Sequence, residues 1–168
     1  MRQYRHDLGT ISGGGSATAV RLERHLAATP AEVWQLLTDP AELTGWLCAA
    51  VEIEPRPGGT ISLRFANTDT AIHGRVLRFD APSVLEYTWR TADEPESIVR
   101  FELRPTDSAT GTRLLLTHTR CDHGQAGSFA AGWHQHLDLL TSQLAGQTPA
   151  WEWSRYNTLL ERYRRPVA

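Results

Sequence analysis

Between Phe129 and Ala145 the apolar residues keep a helical period, and they do so after a long series of stretches in which apolar and polar residues alternate. Within FAAGWHQHLDLLTSQLA, Phe129, Trp133, Leu137, Leu140 and Leu144 recur at spacings of four, four, three and four, which lays them along one stripe of a helix. Such a stripe needs a surface to bury it. The alternating stretches supply that surface, because each presents one apolar face. The pattern therefore predicts an α+β fold in which an antiparallel sheet grips one long helix.

The elements follow in order. From Ala17 to Leu26, Val20, Leu22 and Arg24 oppose Arg21, Glu23 and His25, the period of a first strand. Thr29-Pro30-Ala31-Glu32 then offers an N-cap, a proline at the first helical position and a glutamate three residues after the cap. The helix it starts carries Val33, Trp34, Leu36 and Leu37 and stops at Asp39-Pro40, which opens a second short helix running to about Trp46 and burying Leu43 with Trp46 or Leu47. Val51–Ile53 reads as a strand, and beyond the turn Pro55–Gly59 Ile61, Leu63 and Phe65 share a face of the next one. Ala71–Phe79 carries two apolar sets and predicts a bulge near Gly74 or Arg78. Leu85, Tyr87 and Trp89, then Val99, Phe101 and Leu103, then Leu114, Leu116 and His118 mark three further strands. Gly146 is placed to cap the long helix. A last helix over about 149–164, opened by Thr148-Pro149, aligns Trp153, Tyr156, Leu160 and Tyr163; with Trp151 beside it, it packs back on the domain or forms a homodimer contact.

Composition narrows the setting. A chain of 168 residues suits one domain, which at this length buries roughly 70% of its unfolded surface. Residues 1–16, with Gly13-Gly14-Gly15 and few apolar side chains, read as a mobile tail, leaving 17–168 as the domain. A net charge of −2 and a pI near 6.4 give no reason to expect nucleic acid or an anionic membrane as partner. No apolar run approaches the ~20 residues that span a bilayer, and the first residues lack the apolar core of a signal peptide, so a soluble cytoplasmic protein is expected. Cys48 and Cys121 are too few and too far apart for a disulfide framework and read as buried thiols.

The order of these elements resembles the helix-grip fold of the START-like (SRPBCC) superfamily. More narrowly, Thr29-Pro30-Ala31-Glu32-Val33-Trp34, Leu37-Thr38-Asp39-Pro40 and Trp46 look like the entry motif of the bacterial family named after activators of the heat shock protein 90 ATPase (AHSA-like). Pro57-Gly58-Gly59, Gly74-Arg75-Val76-Leu77 leading to Pro82, Leu85-x-Tyr87-x-Trp89, Gly111-Thr112-Arg113-Leu114 leading to His118, and Gly132-Trp133 with Leu137 continue the likeness, over about residues 18–146. The resemblance implies a small apolar molecule held between helix and sheet. Related branches imply polyketide cyclisation as an alternative, and the family's best-known eukaryotic members, which carry a further N-terminal domain, imply an interaction module that acts on a chaperone.

Facing along the elements gives the candidate lining of such a site. The sheet would contribute Leu63, Phe65, Tyr87, Trp89, Phe101, Leu103, Leu116 and His118, and the helix Trp133, His136, Leu137 and Leu140. The same side chains could simply fill a core. His118, in phase with Leu114 and Leu116, points inward, either as a satisfied interior histidine or as an acid or base that would serve a cyclase, with Tyr87 as a second proton carrier. A metal centre built from His118, His123, His134 and His136 is not expected, because His134 and His136 lie two apart and so on different faces of a helix. No cofactor is expected either: Gly13–Gly15 lacks the Lys-Ser/Thr of a phosphate loop, and no Gly-x-Ser-x-Gly elbow is present.

Overall fold

The alternating stretches all become strands, and one strand forms that alternation did not announce. The computed structural model describes residues 8–165. Its elements are β1 (Thr10–Ser12), β2 (Thr18–Leu26), α1 (Pro30–Thr38), α2 (Pro40–Trp46), β3 (Ala50–Ile53), β4 (Thr60–Phe65), β5 (Thr70–Asp80), β6 (Val84–Trp89), β7 (Ser97–Pro105), β8 (Thr112–Cys121), α3 (Ala126–Leu144) and α4 (Trp153–Arg164). The strands form one eight-stranded sheet in the order β1-β2-β8-β7-β6-β5-β4-β3, antiparallel at every pairing. It curves around α3. This is the helix-grip arrangement.

Local chemistry accounts for the boundaries. Thr29 and Glu32 close a reciprocal capping box at the start of α1, and the Asp39 carboxylate accepts the Ala41 N–H to start α2. Both Trp46 and Leu47 are buried at its end, and the Trp46 indole N–H donates to the Leu36 carbonyl over 2.8 Å. Gly146, at φ 77°, ends α3 in the left-handed conformation. In β5 the pairing with β6 shifts between Val76 and Arg78. The shift changes which residues face in: Leu77 is left 41% exposed, while Phe79 packs edge-on against Trp34 with centroids 5.2 Å apart.

The core lies between the sheet and α3. Val20, Leu22, Leu85, Phe101, Leu114 and Leu116 from the strands meet Ala130, Trp133, Leu137 and Leu140 from the helix, all buried. Phe129 and Leu144, at the ends of the predicted stripe, are only half-buried. The thiols of Cys48 and Cys121 are free and buried, and burial pushes them up to about 11 and about 12, which keeps them protonated and unreactive.

Two expectations change at the chain ends. Residues 8–16 are not a tail, since Thr10–Ser12 pair with Ala19–Arg21 of β2; three residues are too few to show a period. Residues 1–7 and the last three of the expected domain lie outside the described residues. The final helix starts at Trp153 rather than at Thr148-Pro149, because the stretch before it lays Trp151 against His136 at 4.8 Å. A capping signal permits a helix but does not outweigh tertiary packing.

The final helix packs back on the domain. Leu159 is fully buried. The Tyr163 hydroxyl accepts the Gly9 N–H at 2.8 Å and is hydrogen-bonded to His134 Nδ1 at 2.9 Å. Asp138 of α3 takes Arg155 of α4 at 3.0 Å and the buried Arg24 of β2 at 3.4 Å. Among the described residues no helix is long and apolar enough to cross a membrane.

Gly74 shows how closely β5 and β6 approach. A Cβ there would fall inside contact distance of the Thr88 carbonyl oxygen, whereas one at Gly14 would meet open space. Gly74→Ala is expected to lower unfolding free energy by about 2 kcal/mol, and Gly14→Ala to change it by less than about 0.5 kcal/mol, as read from urea denaturation midpoints.

Candidate functional site

Where α3 leaves the end of the sheet uncovered, a cavity of about 230 Å³ remains. Its apolar walls come from Leu47 after α2, Phe65 and Ile72 on β4 and β5, Trp89 on β6, and Phe129 and Trp133 on α3. Trp151 just before α4 and Trp153 and Tyr156 in its first turn add to them. Polar lining comes from Asn67, Thr68 and Thr70 around the β4–β5 turn, Thr91 and Glu94 after β6, and Gln125 and Ser128 at the start of α3. The aromatic rings form a continuous wall: Phe65 to Trp89 at 5.8 Å, Trp89 to Trp133 at 5.3 Å, and Trp151 to Tyr156 at 5.7 Å between centroids.

Gly132 lies in the middle of α3 on the cavity side, and nothing stands within 4 Å of where its Cβ would be. Glycine costs a helix interior roughly 1 kcal/mol relative to alanine, yet here any larger side chain would grow into the void. His136 supplies the polar group within the aromatic wall. Its Nδ1–H donates to the Trp46 carbonyl at 3.0 Å, which leaves Nε2 as the acceptor of a neutral ring. Burial holds it down to about 4, so at neutral pH it offers a lone pair and no charge.

Of the residues predicted to line the site, Phe65, Trp89, Trp133 and His136 do so. Leu63, Tyr87, Phe101, Leu103, Leu116, His118, Leu137 and Leu140 belong to the packed core instead. Alternation identifies the inward face of a strand, but α3 fills most of the space in front of that face. Ile72, Leu47, Phe129 and the loop residues were missed, as was the contribution of Trp151, Trp153 and Tyr156. The aromatic density of residues 151–156 was the signal for the last group, although their destination was not encoded in any period.

The proton-transfer role considered for His118 does not fit its surroundings. Trp133 Nε1–H donates to His118 Nδ1 at 3.0 Å, so the ring proton sits on Nε2, where Ser97 Oγ accepts it at 2.7 Å. Ser97 Oγ in turn donates to the Trp89 carbonyl at 3.3 Å. Both ring nitrogens are engaged and the side chain has no exposure. Burial holds the imidazole down to about 3, and burial likewise pushes the Tyr87 phenol far above its usual range. The other two histidines of the set weighed as metal ligands go to different places, His123 beside Thr18 at 3.3 Å and His134 to Tyr163. Among the described residues no three His, Cys, Asp or Glu side chains are grouped as a metal centre.

The family model described as activator of Hsp90 ATPase homolog 1-like protein matches residues 27–145. Among curated proteins none matches the chain. The crystal structure of CalU16 from Micromonospora echinospora superposes with a TM-score of 0.76 at 23% identity, over 94% of this chain and 96% of that one. The solution structure of the BPP1335 protein from Bordetella parapertussis gives 0.71 at 27% identity, over 94% and 95%. DynU16, from the dynemicin biosynthetic locus, gives 0.69 at 21% identity, over 79% of this chain and 49% of its own. These likenesses show the fold. The family match stops before Trp151, Trp153 and Tyr156, the residues that close the cavity from the α4 side.

The two depressed imidazoles set an acid dependence. His118 and His136 have an ordinary value of 6.5 and folded values of about 3 and about 4, so the unfolded chain takes up protons first as the pH falls. Stability present above pH 6.5 is therefore lost as the pH drops towards 4. Urea unfolding at pH 7 and pH 5 should differ by roughly 2 kcal/mol for each imidazole, and His136→Gln should remove about half of the difference. An unchanged slope in that variant would place the titration elsewhere.

Proposed function

The chain belongs to the family of activator of Hsp90 ATPase homolog 1-like proteins, and we propose that it binds a small, flat apolar or aromatic molecule in the cavity between the end of the sheet, α3 and the approach to α4. The observation that carries this reading is the unfilled space itself, walled by aromatic rings and kept open by Gly132. Ligand sites are concave, mostly apolar and furnished with a few placed polar groups; His136 Nε2, Thr70, Thr91 and Ser128 are such groups here. At about 230 Å³ the space suits one or two fused rings rather than a lipid chain.

The expected affinity is modest. A flat aromatic molecule buries roughly 150–250 Å², which at about 25 cal/mol per Å² contributes about 4–6 kcal/mol before the cost of association. The cyclase alternative loses its proposed base with the closed hydrogen bonding of His118. The chaperone-directed alternative drew on the aromatic C-terminal helix, whose Tyr163 is engaged within the domain.

Native mass spectrometry of the purified protein should show a retained small-molecule adduct, and saturating 1-naphthol or indole should raise the melting temperature by a few degrees. Gly132→Leu fills the cavity from the helix and should abolish both effects. Gly132→Ala, as a control for the backbone, should stabilise the unliganded protein by about 0.5–1 kcal/mol. Undiminished probe binding by Gly132→Leu would overturn the reading.

A further inference from the structure

The charge of the ligand can be read from the groups that face it. Among the described residues that line the cavity, Glu94 is the one acidic side chain and no arginine appears, although the chain carries 17 basic residues, all of them arginine. His136, neutral with its Nδ1–H committed to Trp46, adds no positive charge.

Glu94 differs from four of the other part-buried carboxylates by having no basic partner, the remaining two, Asp39 and Glu42, being held by hydrogen bonds from the Ala41 N–H and the Gln143 amide. Glu23 pairs with Arg113, Glu86 and Glu102 share Arg100, and Asp138 holds Arg24 and Arg155. Among the described residues Glu94 has no ion pair. It is half-buried, with Asp93 and Asp122 near enough to repel it. A hydrogen bond from Thr91 offsets part of the cost of a carboxylate in that position, and an arriving cation would offset more of it. Trp89, Trp151, Trp153 and Tyr156 line the same cavity, and the faces of such rings attract positive charge and repel negative.

Resting on the binding reading above, we propose that the ligand is a small arylalkyl amine in its protonated form, its ammonium group paired with Glu94 and its ring system on the indole wall. A carboxylic acid of the same shape meets a carboxylate and electron-rich ring faces with no compensating cation. A neutral ring compound fits the walls but leaves Glu94 unpaired.

Three isosteric probes test this by isothermal titration calorimetry at pH 7: 1-naphthylmethylamine, 1-naphthylmethanol and 1-naphthoic acid. The amine should bind roughly tenfold more tightly than the alcohol, and the acid more weakly than either. Glu94→Gln should shrink the amine-to-alcohol ratio to within about twofold, while Asp93→Asn, which alters a neighbouring exposed charge, should leave most of it. If the alcohol binds as well as the amine, or the acid binds best, the charge assignment is wrong and the binding reading stands. If Asp93→Asn collapses the ratio as fully as Glu94→Gln, the specific pairing with Glu94 is wrong. If none of the three probes binds, both readings fail together.

Discussion

One buried chain of hydrogen bonds sets the relation between helix and sheet. Trp133 on α3 donates to His118 on β8, His118 to Ser97 on β7, and Ser97 to a carbonyl on β6. Apolar packing alone tolerates a helix that rotates or slides by a fraction of a turn, because dispersion and area burial have little direction. A buried indole N–H and a buried imidazole have direction, and leaving either unpaired costs roughly 1–3 kcal/mol. The chain therefore fixes the rotation of α3 about its axis. In doing so it holds Trp133 and Trp89 in contact and turns Gly132 and His136 towards the open end of the sheet.

The cavity is a consequence of that fixed geometry together with an arm from beyond the family's matched region. The helix-grip core places α3 across the sheet but leaves one end uncovered. In this chain Trp151 just before α4 and Trp153 and Tyr156 in its first turn close it. Apolar and polar contacts both hold the arm down: Leu159 is fully buried, Trp151 packs on His136, Asp138 takes Arg155 beside the buried Arg24 of β2, and Tyr163 bridges Gly9 and His134. Buried charges are costly unless paired, so this cluster favours the docked position of α4 more through the penalty of breaking it than through its own attraction. The sheet and α3 thus set the fold, and the C-terminal segment adds the side chains that close the site.

The strands other than β1, both short helices with their caps and the stripe of α3 were legible in the sequence because they follow from periods and from chemistry within three or four residues. The inward faces of β6, β7 and β8 were legible for the same reason, as was the inward direction of His118. Whether an inward side chain meets another side chain or empty space is not a periodic property. Leu116 and Trp89 share an inward phase on their strands, yet one is packed beneath α3 and the other borders the cavity. That difference arises from where a helix nineteen residues long ends over a sheet of given curvature. Likewise nothing near residue 94 in sequence marks Glu94 as a cavity residue, and nothing near residue 151 marks Trp151 as a neighbour of His136. By itself the sequence determined the elements, their faces and the family, since these depend on local conformational preference and the repeat of the backbone. The tertiary structure decided which inward residues remain uncovered, which polar groups satisfy one another and what charge the cavity presents, since those depend on contacts between segments brought together only by folding.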